Sequence, residues 1–283
     1  MRQEKRFPRA WLWGIILFVL GMAAGALWDL PLNHAVYAPQ FYPAIWMECF
    51  GYYPLYLPAI LWLWLSGPKR PWLRTGARLL GAVGAAALFW ASLSNLQKRS
   101  VPGAVWHTAA VWAILVLLGV LLARVLVRGG DGLRRRLHTA MGWSVVYMIL
   151  DNVLINLLKL VWNRTRFDDM MAAGDFSAFT TWLEPFGNGG SSFPSGHTAA
   201  ACGIFVLVLL CDVLPGWNRR RGLVWAACWA YVAGMAASRL IMGRHFLSDT
   251  VAAAFVMSLL LCALRASKPY QKSLRRLDDS ELQ

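Results

Sequence analysis

The feature that most constrains this chain is a series of long apolar segments separated by short polar ones. A helix needs about 20 largely apolar residues to cross a bilayer. Hydrophobic residues make up 58% of the chain and charged residues only 15%, whereas a soluble domain is about one quarter charged. The sequence therefore predicts an all-α, polytopic membrane helical bundle of about eight transmembrane helices. The eight apolar segments are 11–28, 53–65, 76–94, 104–127, 140–162, 196–213, 223–241 and 247–264.

The basic residues indicate how these segments are oriented. Most of the 28 Lys and Arg residues lie on one side of the alternation: before residue 11, in three alternate loops (66–78, 124–139 and 219–221) and after residue 264. The positive-inside rule assigns that side, with both termini, to the cytoplasm. The alternation needs an even number of crossings, so the short segment 53–65, with its two prolines, is counted as one. The net charge of +14 is then explained by orientation and by contact with anionic lipid, so we expect no nucleic-acid partner.

Cysteine and carboxylate spacing gives no sign of a metal or a disulfide framework. The 5 cysteines show no paired spacing and read as small buried hydrophobes. No carboxylate cluster suggests a Mg²⁺ site, so no cofactor is expected. The first apolar segment follows several basic residues and is long enough to remain as a signal anchor. The sequence does not indicate an oligomeric state.

The most informative polar stretch joins the last two apolar segments and contains Arg239, His245 and Asp249. If a helix begins near residue 245, His245 and Asp249 are four residues apart and share one face. A carboxylate beside an imidazole fixes its tautomer and makes the other ring nitrogen a better base or nucleophile. Arg239 adds a guanidinium suited to phosphate oxygens. The alternative is a helix-end salt bridge between Asp249 and either Arg239 or Arg244.

Two further polar clusters lie at the ends of other segments. Lys159 and Arg166, with Arg164 between them, end the fifth segment and would share a helix face, although basic residues at helix ends also snorkel to the interface. Ser195, Gly196 and His197 open the sixth segment, where small residues leading into a helix leave N–H groups free for an anion. An ordinary N-cap by Ser195 with an interfacial histidine is the alternative for that cluster.

The predicted topology brings the three clusters to one side of the membrane. Segments 196–213 and 223–241 form a hairpin, so a chain that leaves at His197 returns to the same side at Arg239. Three cations, two imidazoles and one carboxylate are the groups needed for phosphoryl transfer through a phosphohistidine. The six side chains are Lys159, Arg166, His197, Arg239, His245 and Asp249.

These motifs resemble the signatures of the type 2 phosphatidic acid phosphatase family, which are Lys-x6-Arg-Pro, Pro-Ser-Gly-His and Ser-Arg-x5-His-x3-Asp. The resemblance covers residues 76–264, which would form a six-helix phosphatase core. It departs from the family at Phe167, where a proline is usual. Segments 11–28 and 53–65 lie outside the resemblance as an added hairpin. The chain carries the motifs as Lys159…Arg166-Phe167, Pro194-Ser195-Gly196-His197 and Ser238-Arg239…His245…Asp249.

The resemblance implies a metal-independent phosphatase in which His245 attacks phosphorus, Asp249 orients it and His197 protonates the leaving group. Lys159, Arg166, Ser195, Gly196 and Arg239 would hold the phosphate oxygens. The substrate would be a lipid phosphate or pyrophosphate, such as undecaprenyl pyrophosphate, phosphatidate or phosphatidylglycerophosphate. The alternatives are a lipid phosphotransferase that uses the same intermediate and a non-catalytic lipid-binding or transport protein.

The expected organisation is an N-terminal tail and added hairpin at 1–75, the phosphatase core at 76–264 and a basic cytoplasmic tail at 265–283. The basic loops and the absence of a long soluble domain favour a bacterial inner membrane, with the active site on its outer side. Three further polar residues, Asp151, Asn152 and Asn156, lie inside the fifth segment. We expect them to bond neighbouring helices and to steady Lys159, although intramembrane ionisable groups are functional candidates by default.

Overall fold

The computed structural model of the protein describes residues 9–68, 70–187 and 189–279, the first three of them by backbone alone. These residues form helices and connecting loops, with no strand among them. Four of the basic residues assigned above to the cytoplasmic side, Arg2, Lys5, Arg6 and Lys69, lie outside the described residues. The α-helices are α1 Arg9–Val36, α2 Tyr42–Phe50, α3 Tyr53–Leu65, α4 Pro71–Lys98, α5 Ala104–Trp162, α6 Phe167–Ala173, α7 Gly196–Ala201, α8 Val206–Val213, α9 Arg221–Ile241, α10 Leu247–Ala266 and α11 Lys268–Asp279.

Within the described ranges, 6 helical stretches are long and apolar enough to cross a membrane. One of them, α5, has 59 residues and is interrupted at Gly130, whose φ of 63° and ψ of −164° are non-helical. Gly130 therefore divides α5 into a first arm and a second arm, which contain the predicted segments 104–127 and 140–162. The prediction of an all-α polytopic bundle is confirmed. Helix α3 has 13 residues, which is less than the about 20 residues that a spanning helix needs.

The chain alternates between two ends of the bundle. At one end, Arg134 donates to the carbonyl of Leu65, and Arg136 donates to the carbonyl of Val213. Asp212 at this same end accepts hydrogen bonds from Arg265. The turn before α4, the start of the second arm of α5, the end of α8 and the end of α10 therefore meet at the basic end. The three polar clusters lie at the opposite end.

The N-terminal helices pack directly against the rest of the bundle. Phe18 of α1 stacks on Phe255 of α10, with ring centroids 3.9 Å apart. Helix α3 lies between α4 and α5, where Tyr53 bonds Ser92 Oγ at 2.6 Å and accepts a hydrogen bond from Trp112. The domain boundary at residue 75 stays a prediction, but side chains from both sides of it share one interior.

Candidate active site

Ser192 and Asp249 fix the position of His245. The Nδ1 atom of His245 lies 2.7 Å from the carbonyl oxygen of Ser192 and 3.6 Å from Oδ2 of Asp249. A carbonyl oxygen can only accept, so Nδ1 carries the proton and Nε2 keeps its lone pair. The carbonyl of Ser192 therefore sets the tautomer that we expected Asp249 to set directly. Helix α10 begins at Leu247, so His245 precedes the helix instead of lying on its face.

Burial keeps the His245 ring neutral. Its side chain is buried between the loop before α7 and the start of α10. Burial disfavours the imidazolium form and lowers the pKa of His245 to about 4, although the nearby Asp249 carboxylate opposes the shift. The ring is therefore an uncharged base or nucleophile at neutral pH.

Asp249 is held by several donors besides the His245 ring. Its Oδ1 accepts from Arg164 Nη1 at 2.8 Å, and its Oδ2 accepts from the Ser192 hydroxyl and from the Phe246 N–H. Its backbone carbonyl accepts from the N–H of Ser195 at 3.0 Å. The salt-bridge partner of Asp249 is thus Arg164, and neither Arg239 nor Arg244 takes that position as the alternative interpretation expected.

Arg164 is the main site residue that the sequence interpretation missed. It is fully buried, and its guanidinium lies 4.0 Å from the centroid of the Phe246 ring. Besides Asp249, it donates to Oδ2 of Asp29 on α1 at 3.0 Å and to the carbonyl of Thr180. The only signal in the sequence was an unassigned arginine between Lys159 and Arg166, and nothing linked it to an aspartate 135 residues away.

Lys159 and Arg166 converge on one residue. Lys159 Nζ donates to the carbonyl of Ser191 at 2.6 Å, and Arg166 Nη2 donates to the hydroxyl of Ser191 at 2.9 Å. Neither side chain has an acidic partner among the ion pairs of the described residues. Their charges therefore remain available to an anion at the site.

Phe167 stands where the family motif has a proline, next to Arg166, which contacts Ser191. It is fully buried, and its ring packs on His34, Tyr37 and Phe246. Helix α6 begins at Phe167, directly after the extended backbone of Arg166. The buried aromatic ring anchors the chain where a proline would have restricted the backbone.

Arg239 is occupied by protein groups and has no exposed surface. Its Nη1 lies 3.3 Å from Oε1 of Glu48, and its Nε donates to the Ser238 hydroxyl. Glu48, on α2, receives a bidentate pair from Arg99 at 2.8 and 2.9 Å and lies 3.6 Å from Arg244. Three guanidinium groups therefore meet one carboxylate beside the site. No motif in the sequence indicated that Glu48 would belong there.

The arginines around Glu48 keep its carboxyl group ionised. Burial alone would raise the pKa of this carboxyl group, but the hydrogen bonds from Arg99 and the charge of Arg239 outweigh burial and lower the pKa to about 2. Glu48 therefore remains an anion at every pH at which the protein would work.

The start of α7 brings Ser195, Gly196 and His197 to the site. Ser195 is the N-cap, and its hydroxyl accepts from the N–H of Thr198. A Cβ at Gly196 would lie 3.6 Å from Cε of Lys159, so the backbone here packs against that side chain. His197 is close enough to Arg239, His245, Glu48 and Lys159 for their charges to act on it. All eight predicted site residues therefore come together at one end of the bundle.

An apolar cavity of about 780 Å³ opens from this end of the bundle. Lys159, Gly196 and His197 close one end of it, and its long walls are formed by α3, α4 and the second arm of α5. Leu80 and Val83 line this cavity and are also exposed on the apolar outer surface of the bundle. The cavity thus joins the polar site to the hydrocarbon-facing surface.

Among the described residues, a buried histidine, a second histidine and two cations without an acidic partner meet at one end of a polytopic helical membrane protein, an arrangement suited to a phosphate ester. Residues 140–273 match the family model described as the PAP2 superfamily. This segment belongs to that superfamily, the type 2 phosphatidic acid phosphatases, and the match supports a phosphatase-type phosphoester hydrolase. Searches among characterised proteins and among solved structures found no match to the chain.

Proposed function

We propose that the protein is a metal-independent lipid phosphatase that works through a phosphohistidine at His245. The observation that carries the proposal is the Nδ1 hydrogen bond of His245 to the Ser192 carbonyl, because it leaves Nε2 unprotonated. The unpaired charges of Lys159 and Arg166 and the apolar cavity beside them support a lipid phosphate as the substrate.

In the first half of the reaction, Nε2 of His245 attacks phosphorus and the bond from phosphorus to the lipid oxygen breaks. His197 gives its proton to the leaving oxygen. Lys159, Arg166 and the N–H groups that begin α7 stabilise the charge on the phosphoryl oxygens. Nε of Arg239 bonds Ser238, and its Nη2 bonds the Ala44 carbonyl and the Met242 sulfur. Arg239 therefore contributes through the N–H of Nη1 that does not bond Glu48.

In the second half, water replaces the lipid. His197, now neutral, takes a proton from that water as its oxygen attacks phosphorus, and the phosphorus–nitrogen bond to His245 breaks. Inorganic phosphate leaves and both histidines return to their starting states. If an acceptor lipid took the place of water, the same intermediate would give a phosphotransferase.

We further propose that the basic end of the bundle faces the cytoplasm of a bacterial inner membrane and that the site faces the outer side. The described arginines at the basic end, among them Arg134, Arg136 and Arg265, agree with the positive-inside rule. Substrate would then enter sideways from the outer leaflet through the cavity.

The test is phosphate release by purified protein in EDTA, from a panel of lipid monophosphates and pyrophosphates. Wild type should release phosphate, and His245→Ala should not. His138→Gln is the matched control, because His138 bonds Ser66 far from the site and the amide keeps a hydrogen-bonding group. Release that requires added metal, or that survives in His245→Ala, would contradict the proposal. Turnover that requires an acceptor lipid and yields no free phosphate would favour the transferase.

A further inference from the structure

Three polar side chains follow the wall of the apolar cavity below the site. Asp151, Asn152 and Asn156 lie on the second arm of α5 and line the cavity together with Lys159. Asn156, Asn152 and Asp151 precede Lys159 by three, seven and eight residues, which places them about 4.5, 10.5 and 12 Å further along the helix axis. They form a row of polar groups that leads from the phosphate-binding lysine into the hydrocarbon part of the cavity.

Asp151 is a buried carboxyl group with an oxygen that the described part of the protein leaves without a hydrogen bond. It is 4% exposed, and its Oδ1 has no hydrogen bond within the described part of the chain. The expectation that it would steady Lys159 is not supported, because Lys159 donates to the Ser191 carbonyl. A polar group that is buried without a partner is costly, and a charged one in hydrocarbon is more so.

Each of the two asparagine side chains uses only part of its hydrogen-bonding capacity. Asn152 donates one N–H to the carbonyl of Met148 and accepts from the hydroxyl of Tyr56. Asn156 donates one N–H to the carbonyl of Asn152. Because an amide nitrogen has two hydrogens, each side chain keeps a second donor for a ligand. Within the described ranges, the expected bond to a neighbouring helix is found at Asn152, which accepts from Tyr56 of α3, and not at Asp151 or Asn156.

We infer that this row, defined as Asp151, Asn152 and Asn156, is a subsite for the ester carbonyl groups of an acylated lipid phosphate. The inference rests on the proposed function. It adds the acyl groups of the lipid to the phosphate as groups that the protein recognises. Ester carbonyl oxygens lie within a few bonds of phosphorus in an acylated glycerol phosphate, at the depth that the row covers. Each asparagine donates its second N–H to such an oxygen, and the Asp151 carboxyl group donates when it carries its proton.

A polyprenyl chain fits the same cavity less well. It offers only hydrocarbon beyond the phosphate, so it would cover the row and exclude water without replacing the hydrogen bonds. Leaving buried polar groups unpaired is what makes a hydrogen-bonding site reject an analogue that lacks the matching group. The row therefore selects acylated lipid phosphates against prenyl phosphates.

The test compares three substrates, of which the first two differ only in the carbonyl groups. Wild-type protein in mixed micelles is given a diacyl phosphatidate, its dialkyl ether analogue with chains of equal length, and a prenyl phosphate. We expect kcat/KM for the diacyl lipid to exceed that for the other two by roughly 10- to 100-fold. Equal values for the diacyl and dialkyl lipids would overturn the inference while leaving the proposed function intact.

Variants assign the preference to the row. In Asp151→Leu and in Asn152→Leu the diacyl-to-dialkyl ratio should fall toward one, whereas Asp151→Asn, which keeps a donor, should retain much of it. Ser144→Ala is the control, because Ser144 lies buried on the same arm and bonds the carbonyl of Ala140 in its own helix. A ratio that survives in both leucine variants, with thermal unfolding showing folded protein, would overturn the assignment. Wild type that is inactive on all three lipids but active on a lipid pyrophosphate would overturn the inference alone. Wild type that is inactive on these lipids and on the pyrophosphates as well would contradict the proposed function, and the inference would fail with it.

Discussion

At the scale of single residues, the site depends on buried charges that hold one another. Arg164 is the clearest case, since it joins Asp29 of α1 to Asp249 of α10 with no exposed surface. Removing one member of such a group leaves the others buried and unpaired, which costs more than the intact group contributes. The same reasoning applies to Glu48 among its three arginines.

Replacing Arg164 with Met should therefore destabilise the fold by about 3–5 kcal/mol, because two buried carboxylates lose their common partner. The measurement is thermal or denaturant unfolding in detergent. In Arg164→Met with Asp29→Asn the combined loss should be smaller than the sum of the single losses. Additive losses would contradict the coupling between these two residues.

The pKa of His245 predicts how the site responds to acid. Because burial lowers this pKa to about 4, the nucleophile stays neutral as the pH falls from 7 to 5 and becomes charged only near pH 4. An NMR titration of the His245 ring, assigned by comparison with His245→Gln, should show this midpoint. A midpoint near 6.5, the ordinary value for histidine, would contradict the burial and tautomer described here.

At the scale of helices, the short α2 supplies a carboxylate that lies outside the three sequence motifs. It carries Glu48, which contacts Arg239 at the end of α9 and Arg99 after α4. Glu48 thereby ties three helix ends together and sets the direction of a guanidinium predicted to bind phosphate. An added N-terminal segment thus reaches the site through one carboxylate.

Replacing Glu48 with Gln should lower kcat/KM roughly 10- to 100-fold, because small displacements of a charge-stabilising group have effects of that size. Glu48→Asp should recover part of the loss. Glu184→Gln is the control, since Glu184 is exposed and bonds only Thr181 in its loop. Unchanged kinetics in Glu48→Gln would show that Arg239 needs no carboxylate to be positioned.

The two arms of α5 depend on a single glycine. The backbone of Gly130 occupies a region that side chains disfavour, so Gly130→Ala should cost about 1–3 kcal/mol. Gly132→Ala is the control, because a Cβ there meets nothing within 4 Å and no positive φ is involved. Equal unfolding temperatures for the two variants would contradict the positive-φ backbone conformation of Gly130.

At the scale of the whole molecule, the sequence was sufficient for the parts that depend on local pattern. Apolar length predicted the membrane bundle, and motif spacing predicted which end would collect Lys159, His197 and His245. It could not predict Arg164 with Asp29, or Arg239 with Glu48, because such pairs join helices far apart in the chain and have no periodicity. Helix α10 begins after His245. The His245 ring therefore takes its hydrogen-bond partner, the Ser192 carbonyl, from the loop before α7.

Rapid-quench trapping of the phosphoenzyme shows directly whether His245 is the nucleophile. Wild-type protein is mixed with a lipid labelled with ³²P in its terminal phosphate, quenched within milliseconds in alkali, and digested. We predict a label that is stable in alkali, lost in acid and located on the peptide containing His245. Turnover with no labelled protein at any time, or a label that persists in His245→Ala, would contradict the central claim that His245 is the nucleophile.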